Sequence, residues 1–174
     1  MLPFLISLLH SSAWSLIFLV VIPNLIADLK LSQSSLCLRV GIALLVLGLF
    51  LFLLSARELS REGGTTTFLK KAKKLVRKGV YRYTRNPIYL AVGLISLGES
   101  SLFCSPVLFA YTLCLMGGLH IWVVLFEEPS LRKSYGQEFE DYSREVPRWV
   151  AFPRKLTCSG RRRRSHSSQR SPLS

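Results

Sequence analysis

The stretch "IYLAVGLISLGESSLFCSPVLFAYTLCLMGGLHIWVVLF", residues Ile88 to Phe126, contains one charged residue, Glu99, in thirty-nine positions. A helix needs about 20 apolar residues to cross the hydrocarbon layer of a bilayer, so this block is long enough for two crossings. The serine, cysteine and proline residues of positions 101–106 favour a turn near its middle. The stretch therefore predicts a transmembrane hairpin.

Two further apolar blocks precede this hairpin. Leu2 to Ala27 contains no charged residue, and Leu36 to Ala56 contains only Arg39. Each block is long enough for one span. The first block lacks a basic leading region, and its apolar stretch exceeds that of a typical signal peptide, which favours a retained helix. We therefore predict an all-α integral membrane protein with about four transmembrane helices.

The positive charge indicates how these helices are oriented. Of 23 Lys and Arg residues, ten lie in positions 57–85 and eleven follow Ser130, and the formal net charge is +13. Short loops rich in Lys and Arg stay in the cytoplasm, so we predict that both termini are cytoplasmic. The excess charge also suits anionic lipid headgroups, and no nucleic-acid partner is expected. A bacterial inner membrane and an endoplasmic reticulum membrane both fit this distribution.

The polar segments are predicted to lie on the cytoplasmic face. Residues 68–78 alternate cations and apolar residues at helical spacing, which predicts an amphipathic helix on the inner leaflet. Nearer the C-terminus, apolar and aromatic residues recur at intervals of four, four, three and four, which predicts one C-terminal helix. The residues of this stripe are Leu131, Tyr135, Phe139, Tyr142 and Val146. We divide the chain into two N-terminal spans (1–57), one module (58–153) and a disordered basic tail (154–174).

Two polar clusters flank the hairpin. Because a hairpin returns both of its ends to the same membrane face, we expect residues 81–89 to lie beside Glu127 and Glu128. Arg85 would suit an anionic group, the carboxylate pair a cation or hydroxyl groups, and the tyrosines stacking or cation–π contact. Anchoring of the aromatic residues at the headgroup level is the alternative explanation.

A few other residues allow different chemistry. Glu99 within a span costs on the order of 2.5–3.5 kcal/mol unless it is paired, hydrated or neutral, so a small transporter or membrane interaction protein is an alternative function. The cysteines have no metal-like spacing and His120 has no second histidine nearby, so no metal site is predicted. Cys37 and Cys104 fall near the predicted outer face, where either a disulfide or simple packing is compatible with the sequence.

The order of motifs resembles a known family. "KKLVRKGVYRYTRNPIYL" (73–90), an apolar hairpin, "FEEPSLRKSYGQEFEDY" (126–142) and "VPRW" (146–149) are similar to the integral-membrane methyltransferases related to isoprenylcysteine carboxyl methyltransferase and to bacterial phospholipid methyltransferases. The resemblance implies S-adenosylmethionine held at the cytoplasmic mouth of the hairpin and a lipid or lipidated acceptor. The cofactor-binding positions that it implies are Lys73, Lys74, Leu75, Val76, Tyr81, Asn86, Pro87, Ile88, Tyr89 and Glu127.

Arg85 and Glu128 are the candidate catalytic residues. Either could orient the cofactor or the acceptor, and Glu128 could also accept a proton. Asn86 stands where the eukaryotic enzymes have histidine, and Val123 stands where the prenylcysteine enzymes have an arginine suited to a carboxylate substrate. A membrane reductase is a further alternative, because membrane sterol reductases have a similar C-terminal architecture.

Overall fold

The computed structural model describes residues 21–27, 30–61 and 75–150. Six α-helices lie in these ranges: α1 (Ile22–Ile26), α2 (Ser35–Arg61), α3 (Pro87–Leu102), α4 (Pro106–Trp122), α5 (Glu128–Tyr135) and α6 (Gln137–Glu145). The described ranges contain no strand, so the all-α prediction is confirmed for them. Most of the first predicted span, the lysines Lys73 and Lys74, and the predicted tail lie outside the described residues.

Two helical stretches are long and apolar enough to cross a membrane. They are α2, with 27 residues, and the continuous helical stretch Pro106–Tyr135, with 30 residues. Their apolar side chains are mostly exposed, as shown by Val46 at 62% and Phe50 at 59%. Exposure of such an apolar surface to water is unfavourable, whereas lipid solvates it. These two helices therefore indicate a membrane protein. Helix α3 is shorter, with 16 residues.

Helices α2 and α3 pack closely through glycines. A Cβ atom on Gly41 would lie 2.8 Å from the backbone nitrogen of Leu102, and one on Gly98 would lie 3.0 Å from the carbonyl oxygen of Gly41. Any side chain at either position would therefore meet backbone atoms. Small residues at such a contact let two membrane helices approach each other closely.

Helices α3 and α4 form the predicted hairpin, which the structure confirms. Residues 103–105 make the turn, and the Ser105 side chain caps α4 by accepting a hydrogen bond from the backbone of Leu108. Within the hairpin, the Thr112 hydroxyl lies 2.7 Å from that of Ser96 and 3.1 Å from that of Ser100. Hydrogen bonds of this kind join helices in a membrane.

The predicted amphipathic helix is wrong for its last four residues. Leu75 to Lys78 are not helical, and Lys78 has the extended backbone angles φ −108° and ψ 168°. Gly79, with φ +58°, then begins a 3-10 turn, Gly79–Arg82. Val76 is buried and Leu75 packs against Phe139 and its neighbours, so tertiary contact overrides the local helical pattern here. The preceding residues of the pattern lie outside the described ranges.

The predicted single C-terminal helix is also wrong, because the chain breaks at Gly136. Its φ of +52° is accessible to glycine at little steric cost and ends α5 before α6 begins. The residues of the predicted stripe nevertheless share one packed face. Phe139, Tyr142 and Val146 form a buried cluster, against which Leu131 and Tyr135 pack.

Candidate active site

The hairpin brings the two predicted polar clusters together. Pro87 occupies the first turn of α3, so Tyr89 lies near its beginning. The Tyr89 hydroxyl donates a 2.7 Å hydrogen bond to Oε2 of Glu127, which lies at the end of the second apolar stretch. Both side chains are half-buried. The predicted proximity of these clusters is therefore confirmed.

A π-helical turn positions the two acidic residues. Val123–Glu127 forms this five-residue turn between α4 and α5, and Val123 is fully buried within it. A π-turn adds a residue to the helical repeat, and such turns occur frequently at functional sites. Glu127 consequently contacts Tyr89, whereas Glu128 contacts a separate group of cations.

Glu128 is the centre of a buried ion cluster. Arg148 binds it through two hydrogen bonds, Nε to Oε1 at 2.7 Å and Nη2 to Oε2 at 2.9 Å. Arg85 approaches the same carboxylate, with Nη1 3.3 Å from Oε1. Glu128 is only 8% exposed, so solvent screens these charges weakly. The two-pronged guanidinium contact fixes the orientation of the carboxylate. The Glu128 hydrogen bond in turn raises the pKa of Arg148.

Arg85 keeps one buried donor without a hydrogen-bond partner among the described residues. This donor is its Nε atom. Burial lowers the pKa of the Arg85 guanidinium, and the nearby Glu128 charge acts in the opposite direction. The guanidinium carbon also lies 5.8 Å from the centre of the Phe139 ring, within cation–π range. A buried donor without a partner is costly, so Nε is a candidate contact for a bound ligand.

A C-terminal strap, residues 146–149, holds this cluster in place. The carbonyl oxygen of Arg148 accepts hydrogen bonds from the Asn86 side-chain nitrogen at 3.0 Å and from the Thr84 hydroxyl at 3.2 Å. Asn86 is 7% exposed, so this bond attaches the strap to a buried side chain. The side chain at the predicted cofactor-binding position Asn86 therefore also positions Arg148.

Two further bonds attach the strap, one to the segment before α3 and one to α4. The backbone nitrogen of Arg85 donates to the carbonyl oxygen of Pro147 at 3.1 Å. The indole nitrogen of Trp149 donates to Nδ1 of His120 on α4 at 3.1 Å, and the two rings stack with centroids 6.0 Å apart. His120 thus accepts a hydrogen bond that links the strap to α4.

The segment before α3 is fixed by a tyrosine pair. The Tyr142 hydroxyl donates a 2.7 Å hydrogen bond to the carbonyl oxygen of Tyr81. Both tyrosines are buried, and this burial raises the pKa of each. The Arg77 guanidinium lies 5.5 Å from the centre of the Tyr142 ring and pairs with Glu145 at 2.8 Å. The predicted position Tyr81 is therefore held rigidly near the polar cluster.

The predicted residues now have locations, but their roles stay predictions. Arg85, Asn86, Tyr89, Glu127 and Glu128 come together at one end of the hairpin. Of the remaining described positions, Pro87 and Ile88 follow Asn86 in the first turn of α3, Leu75 packs against the Phe139 cluster, and Val76 and Tyr81 are buried. Sequence reasoning assigned no role to Arg148, although "VPRW" carried part of the resemblance. Its contact with Glu128 spans 20 residues, and no local pattern signals it.

The side chains at this site suit the groups of S-adenosylmethionine. Its ammonium group and ribose hydroxyls need acceptors such as the Glu127 carboxylate, and its carboxylate needs a donor such as the partnerless Arg85 Nε. Its sulfonium and adenine groups suit contact with aromatic rings. The donor set and the buried unsatisfied nitrogen therefore fit this cofactor.

Comparisons with known proteins agree with the resemblance seen in the sequence. Residues 36–138 match the family model described as phospholipid methyltransferase. Protein-S-isoprenylcysteine O-methyltransferase B of Arabidopsis thaliana is 26% identical over 155 residues, covering 84% of this chain and 77% of the relative. A probable protein-S-isoprenylcysteine O-methyltransferase of Oryza sativa subsp. indica is 32% identical over 80 residues, covering 45% of this chain and 41% of the relative.

No solved structure matches the chain significantly. The family model spans more than half of the 174 residues, including α2 except its first residue, the hairpin and both glutamates of the site. These matches favour methyl transfer over the transporter and reductase alternatives. The chain therefore belongs to the phospholipid methyltransferase family.

Proposed function

We propose that this protein transfers a methyl group from S-adenosylmethionine to a lipid or lipidated acceptor at the cytoplasmic face of a membrane. One observation carries the proposal. The Tyr89–Glu127 pair and the Arg85–Glu128–Arg148 cluster adjoin helices whose apolar side chains are exposed. A water-soluble donor and a lipid-soluble acceptor can meet at such a boundary.

Tyr89 and Glu127 form the central part of the proposed cofactor site. The Tyr89 hydroxyl binds Oε2 of Glu127 and restricts its rotation, which leaves Oε1 oriented to accept a hydrogen bond from the cofactor. Around this pair we assign cofactor contacts to residues that precede α3 in the sequence and to the first turn of α3: Lys73, Lys74, Leu75, Val76, Tyr81, Asn86, Pro87 and Ile88.

The chemical contribution of the chain is orientation. When bound, S-adenosylmethionine supplies an electrophilic methyl group on a sulfonium. Arg85 donates through Nε to an anionic group of the acceptor or of the cofactor, and the buried surroundings limit the access of water. Glu128 keeps Arg85 in place, because two guanidinium groups bind its carboxylate. These ion pairs stabilise the charged carboxylate and favour this orienting role over proton acceptance.

The proposed topology has four transmembrane helices with both termini in the cytoplasm of a bacterium or a eukaryotic cell with an endoplasmic reticulum. The distribution of Lys and Arg supports this orientation, since 21 of the 23 lie in positions 57–85 or after Ser130. The polar end of the hairpin would then face the cytoplasm, where anionic headgroups attract the cationic segments.

The acceptor is assigned as a nucleophile attached to a hydrocarbon chain. The relatives are named as O-methyltransferases of protein-S-isoprenylcysteine, and the matching family is named for phospholipids. Both classes place a polar reactive group beside an apolar chain. Val123 lacks the charge that would bind a carboxylate, but Arg85 supplies a partnerless donor nearby.

A methyl-transfer assay tests this proposal. The full chain in lipid vesicles receives S-adenosylmethionine labelled in its methyl group, with an S-prenylated cysteine derivative or phosphatidylethanolamine as acceptor. We expect label in one of these acceptors. Tyr89→Phe removes one hydrogen bond to Glu127 and should reduce transfer about tenfold, equivalent to roughly 1.4 kcal/mol.

Tyr111→Phe is the matched control, because Tyr111 lies on α4 towards the far end of the hairpin. We expect it to retain the transfer rate of the unmodified protein. Absence of label from both acceptors, in protein shown to be folded, would contradict the proposal. Equal rates for Tyr89→Phe and Tyr111→Phe would remove the assigned role of Tyr89.

A further inference from the structure

Two cysteines face each other at the end of the hairpin opposite the candidate site. Cys37 lies in the first turn of α2, and Cys104 lies in the turn between α3 and α4. Their sulfur atoms are 3.1 Å apart. Cys104 is exposed and Cys37 is partly exposed, and both are thiols. The pair lies about 24 Å from the polar end, which is the length of the 16-residue α3.

Backbone contacts, rather than flexible side chains alone, keep the two cysteines close. The backbone nitrogen of Ser32 donates a 2.9 Å hydrogen bond to the carbonyl oxygen of Leu102. Ser32 lies five residues before Cys37, and Leu102 lies two residues before Cys104. One turn further along α2, Gly41 packs directly against Leu102. The two segments are thus joined on both sides of Cys37. A disulfide requires a sulfur separation near 2.05 Å, so closure needs a shift of only about 1 Å.

We propose that Cys37 and Cys104 form a reversible intramolecular disulfide that ties α2 to the hairpin turn. The bond would be a modification site on the membrane face opposite the polar cluster. Its location depends on the proposed topology, in which this end faces the outer, oxidising compartment. It does not depend on methyl transfer, because neither cysteine belongs to the candidate active site.

Thiol–disulfide exchange with an oxidised dithiol or with glutathione disulfide accounts for every atom and electron. One cysteine thiolate attacks the disulfide of the oxidant, which breaks that bond and releases one reduced thiol. The second cysteine then attacks the mixed disulfide, forms the Cys37–Cys104 bond and releases the second thiol. The two cysteines together lose two electrons and two protons, and the oxidant gains both.

An oxidant can reach this pair through an open groove of about 400 Å³. Its walls come from α2, from the hairpin turn and from α4, and they include Leu36, both cysteines and Phe109. Exchange between thiols requires such access, because the attacking thiolate must approach along the bond that breaks. The exposed Cys104 is therefore the expected first contact with the oxidant.

Trapping with a maleimide reagent tests the proposal on the full chain in vesicles. The protein is equilibrated with defined mixtures of reduced and oxidised glutathione, its thiols are alkylated, and each cysteine is assigned by peptide mass. We expect Cys37 and Cys104 to become protected together as one intramolecular disulfide. Oxidation should also raise the midpoint of thermal unfolding by roughly 5 °C or more, since the bond closes a long loop.

Three variants sharpen this result. In Cys37→Ser and in Cys104→Ser, the remaining cysteine should be found only as an alkylated thiol or as a glutathione adduct, and the shift in unfolding midpoint should disappear. Cys114→Ser is the matched control, because Cys114 is an exposed thiol elsewhere on α4, and it should preserve both effects. In the unmodified protein, lasting glutathione adducts on Cys37 or Cys104, a disulfide between two chains, or free thiols at every glutathione ratio would each overturn the proposal.

Methyl transfer is measured on the same preparation. A disulfide without methyl transfer would leave this inference standing and reject the proposed function. Methyl transfer with no Cys37–Cys104 disulfide would do the reverse. The two proposals can therefore fail independently.

Discussion

The two ends of the hairpin formed by α3 and α4 are held together by different interactions. At the polar end, Glu128 binds two arginines and Glu127 binds Tyr89. Along the hairpin and at its far end, glycine contacts and hydroxyl hydrogen bonds join the helices. Every ion pair recorded among the described residues lies at or near the polar end.

This difference indicates which parts of the molecule serve stability and which serve function. Desolvation makes a buried ion cluster an inefficient way to stabilise a fold, and apolar replacements of equal volume often do as well. The helices of this protein already pack through close contact without such pairs. A charged cluster at one end, with an unsatisfied Arg85 nitrogen, is therefore more consistent with ligand binding.

The largest expected effect comes from removing the charge at the centre of the polar cluster. Glu128→Ala leaves Arg85 and Arg148 beside each other without their shared carboxylate. Breaking a buried pair in this way costs about 3–5 kcal/mol. Chemical unfolding in detergent measures the change. Glu138→Ala, which removes an exposed carboxylate from α6, should change the free energy of unfolding by less than about 0.5 kcal/mol.

Equal free energies of unfolding for the Glu128→Ala and Glu138→Ala variants would contradict the proposed difference between the two ends of the hairpin. That result would mean that the cluster does not link the strap to the hairpin. A strongly destabilised Glu128→Ala variant would instead confirm that the site and its supporting segment form one unit.

A smaller effect is expected at the glycine contact between α2 and α3. In Gly41→Ala the new Cβ would lie 2.8 Å from the Leu102 nitrogen and 2.9 Å from the Gly98 oxygen, so one helix must move. Overpacking of this kind costs about 1–3 kcal/mol. Gly117→Ala is the matched control, because its Cβ meets no atom within 4 Å. Thermal unfolding of the two variants measures the difference, and indistinguishable midpoints would contradict the close helix contact.

The smallest effect is expected within the hairpin. Thr112→Val keeps the side-chain shape but removes the hydroxyl that lies 2.7 Å from Ser96 and 3.1 Å from Ser100. Hydrogen bonds between membrane helices contribute about 0.6 kcal/mol on average, so we expect a loss of that order. Unfolding measurements on Thr112→Val and on Ser96→Ala should give similar values. A loss above about 2 kcal/mol would show that hydroxyl bonding is a main source of stability.

The long apolar helices were predictable because their signal is local. Continuous apolar sequence marks α2 and the hairpin, and the proline and serine residues near position 105 mark the turn. The same reasoning placed Tyr89 near Glu127, since a hairpin returns its ends to one side. These features need no knowledge of long-range contacts.

The remaining features depend on contacts that no sequence window contains. The stripe from Leu131 to Val146 correctly indicated the face that packs. It did not indicate the break at Gly136, because residues on both sides of the break pack into the same cluster. The alternating cations and apolar residues at Leu75 to Lys78 are typical of a helix. The segment is nevertheless not helical, because it packs against the C-terminal helices. Arg148 was missed as a site residue because only the folded strap brings it to Glu128.

The central claim is that the polar end of the hairpin binds S-adenosylmethionine. Calorimetric titration of S-adenosylmethionine and of S-adenosylhomocysteine into the purified full chain in detergent tests it most directly. We predict binding of both compounds to the unmodified protein and to Glu138→Ala, and at least a tenfold loss of affinity in Glu127→Ala. No binding of either compound to folded protein, or unchanged affinity in Glu127→Ala, would contradict the account.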